Sequence, residues 1–142
     1  MPQPLNSLEA GALAYLLRGE HPSLDALRRQ AEGVSVDTRE FTGAGFFARL
    51  RLSGNPPPLP GSPTFQIGDV CAELEGLEHG VGFVLFVNEG TMHLLECHLW
   101  GDDRFPEPPV VRRFFYLHHP RRGDPALAET ADRNIEGLGL PV

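Results

Sequence analysis

A chain of 142 residues with 41% hydrophobic and 22% charged side chains can bury about two-thirds of its unfolded surface in one core, so it needs no disulfide or metal to fold. Its net charge of -7 works against nucleic acid and anionic membranes as partners, because both are met through cationic patches. All twelve basic residues are arginine, and the pairs Arg28-Arg29, Arg112-Arg113 and Arg121-Arg122 read as solvated surface.

No opening stretch joins a basic region to a long apolar one, and no run reaches the roughly eighteen apolar residues needed to cross a bilayer. The expectation is a cytoplasmic protein without membrane contact, in which Cys71 and Cys97 are reduced thiols.

In chain order, the first 33 residues read as helical. Asn6 caps a helix over residues 6–18 with Glu9 at its third position, and Leu13, Leu16 and Leu17 form its apolar stripe. A second helix, 23–32, begins near Pro22-Ser23, places Leu24, Leu27 and Ala31 on one face, and sets Asp25 to meet Arg28 or Arg29. Both are short for independent stability and must pack on something else.

From Val34 the period changes to two, and residues 34–117 read as a mostly antiparallel sheet. Val34, Val36 and Thr38 alternate against polar neighbours, and Phe41-Thr42-Gly43-Ala44-Gly45 interrupts the pattern as a bulge or a close backbone approach. Phe46 to Leu52 then alternates apolar residues against Arg49 and Arg51. Residues 53–63, with five prolines, predict a stiff exposed spacer of polyproline character. Thr64 to Glu75 sets Val70, Ala72 and Leu74 against Asp69, Cys71, Glu73 and Glu75.

The stretch Gly80–Gly101 is the longest apolar run, split by Asn88-Glu89-Gly90, and predicts a β-hairpin at the centre of the fold. Glutamate tolerates positive φ poorly, so the expected loop has three residues with Gly90 left-handed. In that register Val81, Phe83, Leu85 and Val87 share a face with His93, Leu95, Cys97 and Leu99. Val84, Phe86, Met92, Leu94, Glu96, His98 and Trp100 take the other. Cys71 and Cys97 then lie on strands with one between them, about 10 Å apart, beyond the roughly 7 Å a disulfide spans.

A loop over 101–109 and a last strand, Val110 to Leu117, follow. The tail 118–142 carries a short helical window near 125–134 and otherwise little pattern, so it is weakly ordered or packs on the rest. The whole predicts one α+β domain, 1–142, with one or two N-terminal helices on one face of a curved sheet of five or six strands.

The runs FTGAGFFARL, FQIGDVCAELEGLEHGVGFVLFVNEG and LLECHLWGDD together carry a Gly-x-Gly-Phe-Phe segment, an Ile-Gly-Asp-Val segment and a Gly-Phe-x-Leu-Phe-Val hairpin with an acidic-aromatic exit. In this the chain, over about residues 34–105, resembles a family of small uncharacterised bacterial proteins. The resemblance implies a bacterial, soluble protein and carries no activity.

Two functional readings compete. If the loops at the open end of the hairpin meet, His79, Glu96 and His98 converge with Asp102 or Asp103, a donor set suited to zinc or another divalent ion and so to a small metal-dependent enzyme. Glu96 and His98 are two apart on a strand and point the same way, yet no tight ligand motif anchors the set, and no cofactor is implied. No nucleophile nominates itself: Cys97 belongs to the core, and no serine elbow or phosphate loop is present. The favoured reading is an interaction module. Two short helices cover one sheet face and leave Val84, Phe86, Met92, Leu94 and Trp100 on the other, an apolar patch whose simplest cover is a second copy of the chain, with another protein or the C-terminal tail as alternatives.

Overall fold

A computed structural model describes residues 2–101, 104–118, 128–130 and 132–141. Helix α1 (Ser7–Leu16) opens with the capping box that the sequence predicts: the Asn6 side chain accepts from the Glu9 amide at 2.9 Å, and the Glu9 carboxylate accepts from the Asn6 amide at 2.9 Å. Helix α2 (Pro22–Ala31) starts on its proline, with His21 Nδ1 accepting from the Ser23 amide, and Asp25 pairs with Arg28 one turn on. Leu8, Ala12, Leu13 and Leu16 of α1 and Leu24, Leu27 and Gln30 of α2 are buried.

Seven antiparallel strands follow among the described residues: β1 (Val34–Phe41), β2 (Gly45–Leu52), β3 (Phe65–Leu74), β4 (Val81–Asn88), β5 (Thr91–Leu99), β6 (Val111–His118) and β7 (Ala128–Thr130). They form one sheet in the order β1-β2-β5-β4-β3-β6-β7, with the predicted hairpin at its middle. Phe41–Gly45 is a hairpin turn between β1 and β2, and the approach there is close: a Cβ on Gly45 would lie 1.9 Å from the Cys97 carbonyl oxygen. The seventh strand lies inside the stretch expected to be helical at 125–134. Its three residues pair with β6, and three residues are too few for a period to show in the sequence. Residues 125–127 and 131 of that window lie outside the described residues.

The β4–β5 turn differs from the expectation and has two residues. Glu89 (φ 49°) and Gly90 (φ 78°) are both left-handed, and Asn88 pairs with Thr91. The strain at Glu89 is offset by anchoring from outside the hairpin. The Glu89 amide donates to Thr64 Oγ1 (3.0 Å), the Gly90 amide donates to the Pro63 carbonyl (2.7 Å), and the Gly90 carbonyl accepts from Leu59 N and Gln30 Nε2, both at 2.9 Å. The proline-rich segment is therefore a strap as much as a spacer, with Leu59 buried against the core.

One residue of slack then resets the register. Val87 faces Met92 while Phe86 faces Leu94, so His93 is the extra residue of a bulge. Met92 takes the core position expected of His93. Leu95, Cys97 and Leu99 keep the core side that the sequence predicts, but they pair with Leu85, Phe83 and Val81, whereas the expected register set His93 opposite Leu85. Strand β3 bulges as well, between Ile67 and Val70, which turns Asp69 toward the helices while keeping Val70 and Ala72 beside Phe83 and Val81.

Both helices lie on the same face of the sheet, α1 over β3, β4 and β6 and α2 over β5. Phe83, Leu85, Ile67, Leu74 and Leu95 fill the space between, and the Tyr116 hydroxyl donates to the Tyr15 carbonyl at 2.6 Å. Arg133 closes the end of α1. Its guanidinium pairs with Asp69 at 2.7 and 2.9 Å, donates to the Leu16 and Arg18 carbonyls, and lies over the Tyr116 ring, with only 5% of the side chain exposed.

Two buried polar groups hold this arrangement. Gln30 donates to the Gly90 and Pro57 carbonyls and accepts from the Met92 amide. Glu9, fully buried, is met by Nε and Nη2 of Arg39 at 2.8 and 2.7 Å. Gln30→Glu replaces the donor with an acceptor facing two carbonyls, and a loss of about 2 kcal/mol in urea unfolding is expected. Arg39→Met leaves a buried carboxylate without its cation and should cost about 3 kcal/mol, partly restored when Glu9→Gln is added; equal losses in single and double variants would show that the pair is not coupled.

Candidate functional site

The sheet face away from the helices carries the residues that the sequence singles out. Neighbouring strands bring their side chains into rows. Arg49, Leu94, Phe86 and Gln66 form one, and Phe47, Glu96 and Val84 the next. Phe47, Val84, Phe86 and Leu94 are each half-buried, and Phe115 of β6 continues the apolar surface two strands away. Trp100, just past the end of β5, is 39% exposed. Met92 does not belong to this surface, because the bulge at His93 turns it into the core, 2% exposed, under α2. Phe47 and Phe115 were not singled out in the sequence. The alternation from Phe46 to Leu52 sets Phe47 on the side of Arg49 and Arg51, and the pairing of β2 on β5 brings it beside Glu96 and so into the patch.

The polar residues of this face are arranged by the same register. Arg113 donates to Glu73 at 2.7 Å and to Glu129, and its guanidinium lies 4.6 Å from the centre of the Phe115 ring. These hydrogen bonds hold the Glu73 and Glu129 carboxyls below the usual carboxylate range and raise Arg113. All three are solvent-exposed, so the ladder orients the strands and adds little stability.

At the open end of the hairpin, His98 packs edge-on to Trp100 at 4.8 Å between ring centres. Both rings lie over Gly82, where a Cβ would come within 2.7 Å of His98 Nε2 and 2.9 Å of Trp100 Cζ2, so the absent side chain of Gly82 makes room for them. His98 Nδ1 is buried with no hydrogen-bond partner, and Glu96 Oε1 is 3.7 Å away, too far for a good bond. His79, predicted to join them, lies on the loop before β4 with its ring against Gly101. Asp102 and Asp103 lie outside the described residues. Among the described residues no three His, Cys, Asp or Glu side chains are grouped so that they could hold a metal ion.

Cys71 and Cys97 are buried and unbridged, on opposite faces of the sheet with β4 between them. Burial pushes the Cys71 thiol up to about 11, against a smaller lowering by its hydrogen bond with Trp100, and raises Cys97 as well. Neither is a nucleophile at neutral pH.

The thiols make this end of the sheet alkali-sensitive. The folded state holds Cys71 protonated above its ordinary value of 9.0, so that contribution to stability is complete below pH 9 and is lost as pH rises toward about 11. A pH series of urea midpoints should fall over that window, less steeply in Cys71→Ala, and both thiols should react slowly with Ellman's reagent at about pH 8 until the chain is unfolded. No family model matches the chain, and no curated protein or solved structure matches it.

Proposed function

We propose that the protein is an interaction module that works through the open face of its sheet, and that the occupant of that face is a second copy of the chain. The observation that carries this reading is the one-sided placement of the helices. With α1 and α2 on the same face, Phe47, Val84, Phe86 and Leu94 form a contiguous half-buried apolar surface at the centre of the other, ended by the exposed indole of Trp100. Aromatic side chains backed by a rigid sheet give large contact area at small entropic cost, which is the composition of binding surfaces.

A second copy suits the charges around the patch. Arg49 and Arg113 border it together with Glu40, Glu96 and Glu73, so both signs are present on one surface, as a two-fold self-association requires. No helix among the described residues is long and apolar enough to cross a membrane, and the reading needs none.

Phe86→Asp puts an unpaired charge into the middle of the patch, which costs most where water is excluded. The wild type should run as a dimer by light scattering at about 100 μM, and Phe86→Asp as a monomer with an unchanged circular dichroism spectrum. A wild type that is monomeric at that concentration would sink the self-association reading.

A further inference from the structure

A cavity of about 450 Å³ opens on the helix side of the sheet, between the start of α1, the β1–β2 hairpin and the segment 105–109. That volume is in the range of small-molecule sites. Its walls are apolar: Leu8, Phe46 and Phe105 inside, with Pro108 and Pro109 closing one side. Phe46 and Phe105 meet edge-on at 5.7 Å between ring centres, and Phe41 leans on Phe46 at 6.0 Å. Phe41 is 60% exposed, so a large apolar ring stands at the mouth of the cavity facing solvent.

The polar groups of the cavity decide what it would take. Arg39 lies in the wall, but its Nε and both Nη2 hydrogens are committed to Glu9 and the Pro4 carbonyl, and Nη1 donates to the Gln3 side chain. Glu9 is fully buried and is matched by that guanidinium and the Asn6 amide. This pair cancels, which leaves Glu107, exposed in the same wall and without an ion-pair partner among the described residues. The cavity therefore offers three aromatic rings, whose faces carry negative quadrupole, and one uncompensated carboxylate, while the one cation in its lining, Arg39, is charge-matched by Glu9.

We propose that this cavity binds a small organic amine, cationic at neutral pH, with an aromatic or aliphatic body of benzyl size. The body lies against Leu8, Phe46 and Phe105, and the ammonium stays at the mouth between the Phe41 ring and the Glu107 carboxylate. The site is on the opposite side of the sheet from the self-association surface and is independent of that reading.

The test uses the whole protein and three probes of one shape, namely phenethylamine, 2-phenylethanol and phenylacetate, titrated by ligand-observed NMR. Phenethylamine should bind at least about tenfold tighter than phenylacetate, with the alcohol between them. Glu107→Gln and Phe41→Ser alter exposed side chains and should leave the circular dichroism spectrum unchanged. The first should bring amine and acid to within about threefold of each other, and the second should weaken the amine about tenfold. The proposal is overturned if phenethylamine shows no binding at about 5 mM, if the acid binds as well as the amine, or if amine binding is the same in both variants as in the wild type.

Discussion

The Gly90 carbonyl oxygen accepts two hydrogen bonds, one from the Leu59 amide and one from the Gln30 side chain. That single acceptor joins three parts of the chain that are far apart in sequence: helix α2, the proline-rich strap and the tip of the central hairpin. Gln30 completes the junction by accepting from Met92, so every hydrogen-bonding atom of its buried amide group is used. Without the junction, a two-residue turn with a left-handed glutamate would have little to hold it, and the register of β5 on β4 would lose its fixed end. The bulge at His93 and the inward turn of Met92 follow from that fixed end, since the strand must lose one residue to return Leu95 and Cys97 to the core.

The second constraint is that, among the described residues, the covering elements lie on one side. α1 and α2, the residues around Arg133 and the strap at Leu59 crowd onto the face formed by Phe83, Leu85 and Val70, and they bring their polar groups with them as satisfied pairs. Among the described residues, the other face is organised by cross-strand neighbours. There the Glu73–Arg113–Glu129 ladder, the Arg49–Leu94–Phe86 row and the His98–Trp100 pair over Gly82 take their places from register alone. A sheet with one face packed and the other patterned in this way has its binding chemistry set by strand alignment, so a one-residue shift would rewrite the surface.

Much of this was legible in the sequence, and the reasons are local. The capping box at Asn6 and Glu9, the proline start of α2, and the alternation of Val70, Ala72 and Leu74 are all encoded within a few residues, and each stands in the structure as expected. The turn is not legible locally, because the anchors that make a left-handed Glu89 tolerable lie at Thr64, Pro63, Leu59 and Gln30, none of them near it in sequence. The inward face of Met92 depends on that same turn and is hidden for the same reason. The roles of Arg39 and Arg133 were invisible: an arginine read alone looks like surface, and only the fold brings it to a buried Glu9 or to the end of a helix. The cavity beside Phe41 was likewise out of reach, since its walls come from four separate stretches of chain.

Arg133 also sets a condition on biosynthesis. The carbonyls at the end of α1 and the carboxylate of Asp69 are satisfied by a side chain made 117 and 64 residues later. During translation the first helix and the third strand therefore emerge with their partner still unmade, and the helix end must stay hydrated or borrow temporary contacts. The sheet can pair strand by strand as it leaves the ribosome, but the end of α1 is sealed only once residue 133 is free to fold back, so that closure waits until β1 to β7 have all been made.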